Sequence, residues 1–278
     1  MDKFRVFDFR FSLTSSQVFL IAFINGCFQT FAALGTDQDL TQRMLTCKSL
    51  KQSQKALILT GLLDFPIVFT YLLIGTALYC LYDVLGHTLP AAFAADPDTI
   101  FPYFIMTALP AGIRGLLIAS IFAAAMSSLD SAINALSSSA IMDIYKPYIR
   151  PDASEKHYLK VSRLFVAGFC LVLIVSALLL NNIPGGKLWL GFKVTGFTYG
   201  ALLGVFLLGV LTKRSNDRMN LWAMISSFLL LLTLTLIEQF CLGGETLLAW
   251  PWYVVVGTIW TFLFGWFFSL KNTSFQPA

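Results

Sequence analysis

Charge is scarce in this sequence. Only 12% of its 278 residues are Asp, Glu, Lys or Arg, where a soluble domain carries about a quarter, while 57% are hydrophobic and the mean hydropathy is +0.74. A water-soluble globular domain is excluded. Histidine is nearly missing, with only His87 and His157, both in predicted connections. The five cysteines, Cys27, Cys47, Cys80, Cys170 and Cys241, stand singly, with no C-x-x-C pair. They read as small core residues rather than as metal ligands or disulfides. No nucleophile sits beside a base and the embedded charges are few, which argues against an enzyme. The net charge of +4 does not point to nucleic acid, because the cations lie between apolar stretches, where membrane topology accounts for them.

What is present is a series of long apolar runs. About 20 such residues cross the hydrocarbon core as a helix, and none of the ten-residue alternation of an outer-membrane barrel occurs. The chain therefore reads as an all-α polytopic membrane protein of about seven transmembrane helices, at roughly 13–34, 56–84, 114–141, 161–180, 188–211, 221–240 and 250–270. The polar segment TDQDLTQRMLTCKSLKQSQK after the first is expected to be helical. The connection 85–113, with Pro90, Pro97, Pro102 and Pro110 among apolar residues, suits a loop carrying a short surface helix. Trp189, Trp222, Trp250, Trp252, Trp260 and Trp266 fall mostly near span ends and read as an aromatic belt.

The Lys and Arg residues orient these spans. Thirteen fall on one face, among them Arg43, Lys48, Lys146, Arg150, Lys213 and Arg214; five fall on the other, Lys3, Arg5, Arg10, Arg114 and Lys187; Lys193 is inside span five. The richer face should be cytoplasmic, which leaves the N-terminus outside although MDKFRVFDFRFS has no apolar signal to export it. The expectation is that further membrane helices precede it, in a fragment, a split gene or a truncated chain. The alternative is a short tail that crosses unaided.

The unusual stretch is 114–145, RGLLIASIFAAAMSSLDSAINALSSSAIMDIY, long enough to span yet carrying Ser127, Ser128, Asp130, Ser131, Asn134, Ser137, Ser138 and Ser139. In hydrocarbon each polar group needs a partner, so such a band faces a bundle interior or a watery path. Helical spacing places Ala124, Ser127, Ser128 and Ser131 on or beside one face. An Ala124 carbonyl freed by a small distortion, with the Ser127 and Ser128 hydroxyls, would offer hard oxygens to a sodium ion, and Asp130 would hold a second ion, pair with a lysine or face polar solvent. Close helix packing through small residues is the competing reading. In span one, Gly35, Thr36, Asp37 and Gln38 either unwind the helix to line a cavity or mark a glycine C-cap at the membrane edge. Lys193 either snorkels to the interface or pairs with an acid such as Asp130 or a solute carboxylate. Asp64 and Glu238 lie close enough to span ends to be read as interfacial.

GTDQDLTQRMLTCKSLKQSQKAL from Gly35, AAAMSSLDSAINALSSSAIMDIYK from Ala123 and YGALLGVFLLGVLTKR from Tyr199 together resemble the sodium/solute symporter family, which includes the sodium/glucose cotransporters. The resemblance implies two inverted five-helix repeats, with residues 1–215 as the second repeat and 216–278 as peripheral transmembrane helices; the first repeat, or a companion chain supplying it, would be missing. It implies a sodium ion held by Ala124, Ser127 and Ser128, beside which Asp130 is added for its charge alone, and a small organic solute near Thr30, Ala33, Leu34 and Lys193. At Thr30, Ala33 and Leu34 the sugar carriers have an asparagine and aromatic residues, so a sugar-stacking pocket is not expected, and Lys193 favours an anionic or zwitterionic solute. The implied function is sodium-driven symport across a cell membrane. A membrane sensor or partner subunit that kept the fold without transporting is the alternative.

Overall fold

The computed structural model describes residues 8–90, 96–181, 187–212, 216–243 and 246–268. Among these the chain is helical and contains no strand. The helices are α1 (Phe19–Thr36), α2 (Gln38–Leu45), α3 (Leu50–Tyr79), α4 (Ile100–Ala108), α5 (Ala111–Ser139), α6 (Glu155–Asn181), α7 (Lys187–Leu211), α8 (Asp217–Phe240) and α9 (Trp252–Phe268). Seven match the expected spans. Six, counting the extensions of α3 and α5, are long and apolar enough to cross a membrane, and α9 is a shorter apolar helix of 17 residues. The protein is a multi-pass membrane protein.

Local chemistry explains where the helices depart from the expected boundaries. The first begins at Phe19 rather than 13 because the Ser12 hydroxyl accepts from the Thr14 and Ser15 N–H groups at 3.3 and 3.1 Å, a turn that competes with helix. α3 begins six residues early because Ser49, in an extended conformation, caps it through the Gln52 N–H. The connection after α3 carries the short helix α4, as its prolines suggested. Beyond Ser139 the turns of α5 widen, with the Arg150 N–H bonding the Tyr145 carbonyl five residues back at 3.0 Å. Pro147, which has no N–H to give, lies within these wide turns.

The chain forms two compact units, 1–41 with 187–278, and 42–186. In the first, α7 and α9 approach closely along small residues. A Cβ on Gly200 would lie 2.8 Å from the Val254 carbonyl oxygen, and one on Gly204 would lie 2.6 Å from Thr261 Cβ. Only glycine permits that approach. The Ser227 hydroxyl, fully buried on α8, donates to the Gly257 carbonyl, and Trp260 Nε1 donates to Ser226 Oγ at 3.0 Å. Tyr253, Val254, Leu208, Leu231, Ile21 and Ala32 are buried in this unit.

The second unit is looser. α5 and α6 meet where buried Ser137 donates to the Ser162 carbonyl at 3.1 Å. The DIYK ending of the polar stretch is structural here: Tyr145 Oη is hydrogen-bonded to His157 Nε2 at 2.8 Å with the rings stacked, and Lys146 Nζ lies over the Tyr158 ring. Residues 58–77 of α3 are exposed throughout.

Candidate functional site

The α5 half of the expected site lies in the second unit. The helix runs unbroken through Ala124, Ser127 and Ser128, and its departure from α geometry comes only at Ala140. No distortion is needed for the Ala124 carbonyl to act as a ligand, since a carbonyl oxygen has a second lone pair after its helical bond. Ala124, Ser127, Ser128 and Asp130 are all exposed, outside the packing with α6. Ser131 donates to the Ser127 carbonyl at 3.1 Å and accepts from the Arg43 guanidinium at 2.7 Å. Asp130 Oδ1 accepts from the Asn134 amide one turn on, at 3.2 Å. The band thus offers several hard oxygens and one carboxylate on an uncovered face.

The α1 half lies in the first unit. The helix stops after Thr36, Asp37 turns extended (φ −80°, ψ 120°), and α2 starts at Gln38. Gly35 stays inside the helix and has no positive φ, which rules out the glycine C-cap; the interruption is the single residue Asp37. Asp37 sits at the junction with both oxygens used: Oδ1 accepts from the Asp39 N–H at 3.0 Å and Oδ2 from the Tyr199 hydroxyl at 2.6 Å. Further back, the Gln29 amide donates to Thr195 Oγ1 and the Asn25 amide to the Pro251 carbonyl, each at 2.8 Å. Thr30 is exposed, and Ala33 and Leu34 are half-buried. The expected solute residues on α1 therefore lie between two anchors to α7.

Lys193, also on α7, is half-buried, and its ammonium sits 5.8 Å from the centroid of the Tyr253 ring. Tyr253 is 1% exposed, and its hydroxyl lies 3.4 Å from Glu238 Oε2 and 3.3 Å from Thr235 Oγ1. Two sequence expectations change. Glu238 is not an interfacial acid: its side chain is 6% exposed and Oε1 accepts from the Leu247 and Leu248 N–H groups at 2.9 Å each, fastening the segment that leads into α9. Asp64 lies near the middle of the 30-residue α3, not near an end, and is exposed there. Gln29 stands in none of the quoted motifs and Tyr199 only opens one of them; their role as anchors emerges only when α1 and α7 are seen side by side.

A family model described as the sodium:solute symporter family matches residues 7–227. The chain is 36% identical over 214 residues to the sodium/sialic acid symporter SiaT of Proteus mirabilis (strain HI4320), covering 75% of this chain and 42% of that protein. It is 28% identical over 263 residues to the sodium/sialic acid symporter NanT of Aliivibrio fischeri (strain ATCC 700601 / ES114), covering 93% and 49%. A sodium/glucose cotransporter of Vibrio parahaemolyticus shares 30% over 194 residues, covering 66% and 35%. Among solved structures, the substrate-bound outward-open state of a Na+-coupled sialic acid symporter superposes with a TM-score of 0.72 at 30% identity, covering 92% of this chain and 50% of that one. The chain thus spans about half the length of the first relatives or less.

Proposed function

The chain belongs to the sodium:solute symporter family, and on that basis we propose that it forms part of a secondary active transporter in which inward sodium flow drives uptake of a small organic solute by alternating access. The observation that carries this reading is the exposed oxygen-rich face of α5, at the positions where the sequence led us to expect the ion. In the proposal Ala124, Ser127 and Ser128 hold sodium and Asp130 adds negative charge to that face. Thr30, Ala33, Leu34 and Lys193 line the solute path. Residues 1–215 are the second inverted repeat and 216–278 are peripheral.

In the proposal the remaining sodium ligands come from the broken helix of the family's first repeat, on the same polypeptide or a companion chain. The solute is an acidic sugar of the sialic acid class, supported by the 36% identity to a sodium/sialic acid symporter and by the half-buried cation at Lys193. The sugar carriers' aromatic positions are Ala33 and Leu34 here, which speaks against a neutral sugar stacked on rings.

The test is sodium-driven uptake of sialic acid by the intact transporter in liposomes, with Ser127 and Ser128 replaced together by Ala. Sharply weakened sodium dependence supports the site. Unchanged sodium dependence removes it.

A further inference from the structure

The break between α1 and α2 does not hold its own shape. Where a helix stops, its last carbonyls and the first N–H groups of the next helix need new partners, and one side chain, Asp37, meets part of that need. Its Oδ1 caps α2 at the Asp39 N–H, and the Asp37 carbonyl takes the Thr41 N–H at 2.9 Å. These bonds keep α2 helical, and across the break the Thr41 hydroxyl reaches back to the Leu34 carbonyl only at 3.5 Å, at the limit of a hydrogen bond. The stronger hold on the break itself comes from elsewhere in the chain: Tyr199 on α7, whose hydroxyl donates to Asp37 Oδ2 at 2.6 Å, a short charge-assisted bond of the stronger kind.

We propose that Tyr199 is a positioning residue for solute binding: its hydroxyl, through Asp37, sets the α1–α2 break and with it the solute-facing turn at Thr30, Ala33 and Leu34. The geometry supports this on two further counts. The same turn is anchored at its other end by the Gln29 amide on Thr195, four residues before Tyr199 on α7. Gly35, between the two anchors, lies against the Phe206 ring, where an added Cβ would be 3.4 Å from the nearest ring carbon. α7 thus holds the turn at both ends, and Tyr199 is the one of these contacts made at the break itself. The proposal rests on the solute reading above for what the turn binds, and on the structure for what sets the turn.

Tyr199→Phe removes one hydroxyl and keeps the ring, so the packing of α1 on α7 is retained. Two measurements on the intact transporter separate the two parts of the proposal. The first is backbone hydrogen exchange, which reads how often a segment opens. In Tyr199→Phe, exchange of the amides at 38–41 should quicken about tenfold, the scale of losing a bond to a charged group, with amides 224–237 of α8 unchanged. Asp37→Asn, which keeps an acceptor but removes the charge, should fall between wild type and Tyr199→Phe, and it carries the test if the first variant does not fold. Acceleration below twofold at 38–41 overturns the proposal, whatever the solute is.

The second measurement is sodium-driven uptake of sialic acid. A site that is correctly set for only part of the time binds with an apparent affinity reduced by that fraction, and saturating solute restores it. KM should therefore rise more than twofold while the maximal rate stays within twofold. Quickened exchange with an unaltered KM overturns the positioning role. If the wild-type protein takes up no sialic acid, the solute assignment fails while exchange still decides whether Tyr199 sets the break.

Discussion

The Tyr199 hydroxyl donates to Asp37 Oδ2 at 2.6 Å across 162 positions of sequence, joining a transmembrane helix to the point where another one breaks. Polar groups in a membrane protein either find such partners or face water. Both outcomes occur in this chain. On α1 and α7, Asn25, Gln29, Asp37, Thr195 and Tyr199 are all bonded to protein. On α5, Ser127, Ser128 and Asp130 are exposed. The first set fixes geometry, and the second is the set proposed to take the ion.

Glu238 should prove to be a stability residue with little influence on solute choice. Its carboxylate, 6% exposed, accepts from Leu247 N–H, Leu248 N–H and the Tyr253 hydroxyl. Replacing it by Ala strands these donors, at a cost of roughly 2 to 3 kcal/mol for bonds to a charged group. Glu238→Gln keeps one acceptor oxygen and should lose about 1 kcal/mol. Thermal unfolding in detergent checks the order: wild type above Gln above Ala. Equal melting of all three would show that the segment before α9 is held by something else.

The glycines of the first unit should differ sharply in what they tolerate. A Cβ at Gly204 would meet Thr261 Cβ at 2.6 Å and the Thr258 carbonyl at 2.8 Å, and backbone cannot step aside. Gly204→Ala should therefore push α7 and α9 apart and cost about 1 to 3 kcal/mol, as overpacking does. At Gly35 the nearest atom is a Phe206 ring carbon at 3.4 Å, and a ring can tilt. Gly35→Ala should change the melting temperature far less. Comparing the two variants under one detergent condition decides this, and a similar loss for both would mean that the α1–α7 contact is as rigid as the α7–α9 one.

Most of the fold was legible because apolar run length maps directly onto helices. The misplaced starts at 13 and 56 came from single hydroxyls, Ser12 and Ser49, whose local bonds outweigh hydropathy. The oxygen-rich face of α5 was legible because Ala124, Ser127 and Ser128 are neighbours in sequence and their spacing defines a helical face. The break at Asp37 was half legible: composition left a glycine cap and an unwound helix both open, and the backbone excluded the cap, with the single extended residue Asp37 parting α1 from α2. What holds the break was not legible, because its partner is 162 residues away. Glu238 was misjudged for a related reason. Closeness to a helix end suggested water, whereas the chain beyond that end folds back and donates two N–H groups to it.

Lys193 should discriminate between solutes by charge. Its ammonium rests over the Tyr253 ring at 5.8 Å, a contact that stabilises the cation without neutralising it. A carboxylate arriving from the solute can therefore still pair with it. Lys193→Met keeps much of the length and apolar stem while removing the charge. KM for uptake of an anionic solute such as sialic acid should rise at least tenfold, and KM for a neutral sugar, where measurable, should hardly change. Equal loss for both, or no loss, would take Lys193 out of solute selection.

The serines and the aspartate of α5 should affect sodium differently, and salt can tell them apart. Ser127 and Ser128 act by direct contact in the proposed site, so their loss removes ligand oxygens whatever the ionic strength. Asp130 lies three residues beyond Ser127, and neighbours at that spacing sit about 5 to 6 Å apart between Cβ atoms, while Ser128, two residues before it, points to a different side of the helix. Its carboxylate, bonded to Asn134 rather than turned aside by a lysine, acts on the ion through its field. On an exposed face such a field is weak and screened by salt. Asp130→Asn should thus raise the sodium concentration for half-maximal uptake about threefold at low ionic strength, and less when choline chloride is added. The Ser127→Ala, Ser128→Ala pair should raise it at least tenfold, with no dependence on choline chloride. A salt-insensitive defect in Asp130→Asn would mean that its carboxylate touches the ion, making it a ligand in its own right.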